Sequence, residues 1–143
     1  METHEKDIHG PDRSTSKWGP LFLASVPTGF PSPADDYIEQ KLDLNAYLIK
    51  HPAATFFVRV SGDSMVGVGI HSGDILIVDR ALEPASSSVV IARLDGELTV
   101  KQLRKQNGKF FLVAENRSYE PIEVGEETDF EIWGVVTNVI HSL

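Results

Sequence analysis

Residues 55–60, Thr-Phe-Phe-Val-Arg-Val, run straight into Ser61-Gly62-Asp63-Ser64-Met65, and this junction of a hydrophobic strand with a glycine-containing turn decides how the chain is read. Thr55, Phe56, Phe57, Val58 and Val60 are β-branched or aromatic residues, which suit a pleated, half-buried surface. The same signature recurs in DILIVDR (74–80), SSVVIARL (87–94), ELTVKQLR (97–104), KFFLVAE (109–115) and DFEIWGVVTNVI (129–140). Asp95-Gly96 and Asn107-Gly108 are the dipeptides of tight two-residue hairpins. Closely spaced strands joined by short turns predict a mostly β fold, a compact and strongly bent antiparallel sheet or partial barrel.

Upstream the signals change. Ser32 can cap and Pro33 can begin a short helix with Tyr37, Ile38 and Leu42 on one face, followed by a turn over 43–50 that carries Leu44, Leu48 and Ile49. Residues 21–26, LFLASV, are apolar enough for a strand or an extended segment, and they lead into Pro27-Thr28-Gly29-Phe30-Pro31-Ser32-Pro33. Three prolines in these seven residues hold the stretch extended, the form that a protease cleft binds along its backbone. An ordinary linker has the same composition. Residues 1–20 are polar, contain Gly10, Pro11, Gly19 and Pro20, and lack an apolar period, which predicts a mobile arm for most of them.

The chain has 143 residues, enough for one globular domain with its own core and too few for two. It has no apolar run long enough to span a bilayer and no apolar h-region near Met1, so a soluble cytoplasmic protein is expected, with no membrane partner. The absence of cysteine excludes disulfides, thiolate metal sites and cysteine nucleophiles. A net charge of −8 leaves no phosphate-neutralising surface overall, which argues against sequence-specific DNA binding by this chain and toward protein partners. His4, His9, His51, His71 and His141 are scattered without metal-ligand spacing, so neither metal nor cofactor is expected.

Ser64 follows a glycine turn in which small residues let a substrate carbonyl approach both its hydroxyl and the neighbouring backbone N–H groups. Structural turns built on Ser and Asp have the same sequence. An α/β-hydrolase elbow is excluded by Val66, which stands where that motif needs glycine. A GDSL-type esterase needs a late Asp-x-x-His, and Asn138 is the residue three before His141. A triad of Ser64 and His71 with Asp74 or Asp79 stays open, because triads are defined by geometry. Lysine offers another route. Lys101 alternates onto one strand face with Thr99 and Leu103. A buried ammonium loses hydration, its pKa falls, and the neutral amine can take a proton from a serine. To be half neutral near physiological pH it needs a fall of ~3 units, about 4 kcal/mol. An edge-strand lysine that discourages aggregation is the competing reading.

Gly29-Phe30-Pro31-Ser32-Pro33-Ala34, Tyr37-Ile38-Glu39-Gln40, Asp43-Leu44-Asn45, His51-Pro52, the 61–65 turn, Gly73 to Asp79, Asp95-Gly96-Glu97 and Thr99-Val100-Lys101 closely resemble the LexA/UmuD family of self-cleaving serine peptidases, over about residues 21–141. The resemblance implies Ser64, in a turn that includes Asp63 and Met65, as nucleophile and Lys101 as general base. It implies Thr28–Gly29 as the scissile bond, with residues 1–28 a removable arm and 29–143 the catalytic and dimerisation domain. It further implies a homodimer, stimulation by a RecA filament on single-stranded DNA, and partnership with a UmuC-type Y-family polymerase in error-prone translesion synthesis during the SOS response. Thr28 departs from the alanine or cysteine usual in the family. A LexA-like repressor would need a helix-turn-helix before the cleavage site, for which residues 1–28 lack periodicity. A type I signal peptidase would need a membrane anchor. A non-catalytic module that holds a polymerase is the alternative of a different class.

Overall fold

A computed structural model of the chain describes residues 8–11, 18–22 and 38–143. In chain order its regular elements are strands β1 (Ile8–His9), β2 (Trp18–Phe22) and β3 (Ile38–Asp43), helix α1 (Leu44–Leu48), and strands β4 (Thr55–Arg59), β5 (Ile75–Asp79), β6 (Val89–Leu94), β7 (Glu97–Gln106), β8 (Lys109–Val113), β9 (Ile122–Val124) and β10 (Phe130–Ile140). They fall into two compact units, Met1–Pro11 with His51–Leu143, and Asp12–Lys50.

In the larger unit the strands form one open sheet in the order β1-β4-β5-β10-β6-β7-β8-β9, antiparallel throughout. The expected mostly β architecture is therefore what the chain adopts. Both hairpin turns form as read, with Leu94 facing Glu97 and Gln106 facing Lys109. Asp95 and Gly96, like Asn107 and Gly108, take positive φ, the left-handed pair whose twist matches that of the flanking strands.

Strand β10 shapes the sheet. Its first half pairs with β6, from Phe130 opposite Leu94 to Val135 opposite Val90, and its second half with β5, from Val135 opposite Asp79 to Ile140 opposite Ile75. Register shifts at 132/134 and 136/138 bend and twist the strand, as bulges do. The bent sheet buries apolar side chains in two groups. One holds Val58, Val60, Met65, Ile70, Leu76, Val78, Ile91, Leu98 and Val100. The other holds Val90, Ala92, Leu103 and Leu112. Alternate residues of β6 and β7 supply both groups, the pattern expected of strands covered on both faces.

Two buried carboxylates interrupt this core, Asp74 and Asp79. Asp79 meets His51 Nδ1 at 2.6 Å and accepts the Ala81 N–H. Burial pushes the Asp74 carboxyl up, but the His71 backbone N–H, a hydrogen bond from His141 and the charges of His141 and His71 outweigh it, and the group lies below its ordinary value.

The smaller unit corrects one expectation. Residues 38–42, read as part of a helix, and Asp43, read as the start of a turn, form strand β3, paired antiparallel with β2 from Trp18 opposite Asp43 to Phe22 opposite Ile38. The helical residues come later, in the single turn of α1, where the Asp43 carboxylate accepts the Asn45 N–H at 3.0 Å. A helix this short has little stability of its own, so a strand partner overrides a weak local period. Strand β1 and the first three residues of β2, Trp18 to Pro20, also occupy a stretch whose polar composition predicts no regular element, whereas Leu21 and Phe22 begin the segment read as strand or extended. Among the described residues no helix is long and apolar enough to cross a membrane.

Gly134 sits at the first register shift of β10, where a Cβ would lie 2.7 Å from Val78 Cγ1 and 3.2 Å from the Asp79 carbonyl oxygen. Neither a β-branched side chain in the core nor a paired backbone gives way cheaply. Gly134→Ala is expected to destabilise the fold by about 1–3 kcal/mol, read from the midpoint of urea unfolding.

Candidate active site

The chain leaves β4 at Val60 and returns to β5 at Asp74, and the neck of this loop is closed by Val60 N–H to Asp74 C=O at 3.0 Å and Gly73 N–H to Val60 C=O at 2.8 Å. Within the loop Gly62 has φ of 97°, a conformation that costs other residues strain. Met65 and Ile70, both fully buried, anchor the loop in the core, and residues 66–68 form a single 3-10 turn. Ser64 is held between these anchors with no exposed surface.

A second segment braces the loop from outside. Asn116 Nδ2 donates to the Asp63 carbonyl at 2.9 Å, and the Tyr119 hydroxyl donates to Asp63 Oδ1 at 2.9 Å. The Gly67 N–H donates to the Glu115 carbonyl at 2.7 Å, an approach so close that a Cβ on Gly67 would meet that oxygen at 2.5 Å. The hydrogen bond to Asp63, the charge of Asp63 and partial desolvation together raise the Tyr119 pKa.

Lys101 comes from the middle of β7, opposite Val90 of β6, and is 9% exposed. Its Nζ lies 3.3 Å from Ser64 Oγ and 3.0 Å from Thr99 Oγ1. The face shared by Thr99 and Lys101, read from strand alternation, is thus realised, and Lys101 is a buried residue, not a solvated edge lysine. A groove of about 470 Å³ runs beside the pair. Its lining mixes Ser61, Gly62, Glu97, Thr99 and Lys101 with the larger apolar or aromatic side chains of Leu94, Leu98, Tyr119 and Ile122. The groove reaches Lys101, whereas Ser64, with no exposed surface, is not among its lining residues.

Of the residues singled out in the sequence, Ser64 and Lys101 meet, Asp63 ties the loop to the 115–119 segment, and Met65 is a core anchor. Thr28 and Gly29 lie outside the described residues. Asn116 and Tyr119 were not anticipated, since a lone Asn-x-x-Tyr in a polar turn carries no signal of what it will meet some fifty residues upstream. The scattered histidines are regrouped by the fold: His51 joins Asp79, which removes Asp79 as a partner for His71, and His71 and His141 converge on Asp74.

The larger unit is thus a bent, open antiparallel sheet in which a buried lysine contacts a buried serine beside a groove. The Peptidase S24-like family matches residues 20–137. Protein SamA of Salmonella typhimurium is 52% identical over 122 residues, 85% of this chain and 84% of that one. Protein ImpA of Escherichia coli is 48% identical over 128 residues, 85% and 83% of the two chains. The LexA repressor of Ectopseudomonas mendocina is 36% identical over 131 residues, 91% of this chain and 64% of the repressor. The chain belongs to the Peptidase S24-like family, a family of serine peptidases, in agreement with the LexA/UmuD resemblance.

The brace on the loop is testable by titration. With its pKa raised, the Tyr119 phenol stays protonated, and keeps whatever stability the bond to Asp63 lends, below the ordinary value of about 10, and loses it only as pH rises through the higher folded value. Phenolate absorbance should show a late step that disappears in Tyr119→Phe and moves down in Asp63→Asn. An unchanged late step in both variants would show that Tyr119 is not held by Asp63.

Proposed function

We propose that this chain is a self-cleaving serine endopeptidase in which Ser64 attacks the Thr28 carbonyl and Lys101 is the general base. The observation that carries the reading is the contact of 3.3 Å between Lys101 Nζ and Ser64 Oγ, with both residues withdrawn from water. Removing an ammonium from water disfavours its charged form. A neutral amine at that distance takes the hydroxyl proton as the Ser64 Oγ–C bond forms, and returns it to the Gly29 amine as the Thr28–Gly29 bond breaks. Water then hydrolyses the acyl-enzyme, and the backbone N–H groups around Asp63 and Ser64 are the proposed donors to the oxyanion. Catalytic contacts are commonly long before substrate binds. Because Ser64 has no exposed surface, attack requires its hydroxyl to become accessible when the cleavage segment binds, and a β-branched Thr28 makes that step slow.

Residues 1–28 would leave as the cleaved arm, and 29–143 would remain as a dimeric product. Membership of the family and the likeness to SamA, ImpA and LexA support a role in SOS mutagenesis in the cytoplasm. There a RecA filament on single-stranded DNA would stimulate cleavage, and the processed homodimer would serve a UmuC-type Y-family polymerase. No cofactor takes part in this chemistry.

The test is incubation of the purified chain between pH 7 and pH 10, alone and with RecA filaments, followed by intact mass. A fragment beginning at Gly29 should appear, faster as pH rises because more Lys101 is neutral. Ser64→Ala and Lys101→Ala should each slow its release by at least about a hundredfold without loss of fold, and Gly29→Lys should block it by filling the space that lets the backbone enter closely. Cleavage that survives in either dyad variant would remove the assignment. Silence of the wild-type chain, even with filaments, would favour the non-catalytic polymerase-binding module.

A further inference from the structure

Where β5 begins and β10 ends, two imidazoles converge on one buried carboxylate that the serine–lysine chemistry does not use. His71, Asp74 and His141 each offer a ligand atom, and these atoms lie within 4.8 Å of one another. Asp74 is 3% exposed, whereas the His71 and His141 side chains are 50% and 44% exposed, so the carboxylate forms the base of the site and the rings open toward solvent. Asp74 is fixed in place. Its Oδ2 accepts the His71 backbone N–H at 2.8 Å, and its own N–H donates to the His71 carbonyl at 3.0 Å. Its Oδ1 faces His141 Nδ1 at 2.5 Å. The two rings stand 4.8 Å apart, inclined at 39°.

We infer that His71, Asp74 and His141 form a binding site for a divalent transition-metal ion, with zinc the fitting probe. Two imidazoles and one carboxylate are a donor set that suits zinc and its neighbours, whereas calcium and magnesium require mostly oxygen. Donors bound tetrahedrally to one zinc at ~2.0–2.2 Å are roughly 3.3 Å apart. His141 Nδ1 lies 2.5 Å from Oδ1 and His71 Nδ1 3.8 Å from Oδ2, on either side of that spacing and on the two oxygens of one carboxylate, and rotation of two half-exposed rings can bring both nitrogens to an ion held by Oδ1. The Asp74 oxygen that takes the His71 N–H supplies the outer hydrogen bond that holds a ligating carboxylate in place. With three protein ligands, a fourth position stays open to water. A bound ion would clip the end of β10 to the 71–74 turn, so binding should stabilise the fold.

Isothermal titration calorimetry of the full chain with zinc, after removal of trace metal by chelator, should give one ion per chain and a rise in thermal midpoint. His71→Ala and His141→Ala should each weaken binding by at least about tenfold, the scale on which even outer partners of a metal site matter, and should abolish the rise in midpoint. Both side chains are half exposed, so the variants should keep the wild-type circular dichroism. His51→Ala and a His4→Ala/His9→Ala double variant should bind as wild type does. No heat of binding at millimolar zinc, or binding that persists in both His71→Ala and His141→Ala, would overturn the site and leave two histidines merely hydrogen-bonded to Asp74.

Discussion

Lys101 reaches Ser64 only because β7 and the 61–73 loop are each held from two sides. Strand β7 sends Leu98 and Val100 into one group of core residues and Leu103 into the other, so the position of Lys101 between them is fixed by apolar packing on both faces. The loop is anchored inward by Met65 and Ile70 and outward by Asn116 and Tyr119. A lysine in such a place forfeits most of its hydration, an outlay of several kcal/mol for a fully buried charge. Thr99 and Ser64 are among the neighbours that receive its nitrogen.

The bend of the sheet is what brings these parts together. Strand β10 pairs with β5 along one half and β6 along the other, which sets the β4–β5 pair, with the serine loop between its strands, beside the β6–β7 pair that carries the lysine. Gly134 allows the crossing, because any side chain there would collide with Val78. The groove beside the pair is lined by both polar and apolar side chains, Ser61, Glu97 and Thr99 among the first and Leu94, Leu98 and Ile122 among the second.

Most of the sheet was legible in the sequence because its signals are local. β-Branched runs, period-two alternation in 97–103 and the dipeptides Asp95-Gly96 and Asn107-Gly108 each specify structure within a few residues. The Ser64–Lys101 pairing was legible in kind, through the glycine turn and the alternation of Lys101 with Thr99, and was sharpened by family resemblance. What escaped depends on distant partners. The 38–43 strand needs β2 opposite it, and a short helical period could not reveal that. Asn116 and Tyr119 have meaning only once β8 and the following turn are folded over the serine loop. His71 and His141 stand seventy residues apart in sequence and become neighbours because Ile140 pairs with Ile75.

The proposed general-base role requires Lys101 to give up its proton at a pH where an ordinary lysine keeps it. Heteronuclear NMR of the Lys101 side chain across pH, in the Ser64→Ala chain so that no cleavage intervenes, measures this directly. A midpoint well below the ordinary value of about 10.4, separated from those of the exposed lysines, is expected. A midpoint at the ordinary value would mean that Lys101 stays an ammonium at physiological pH, and the general-base role would fall with it.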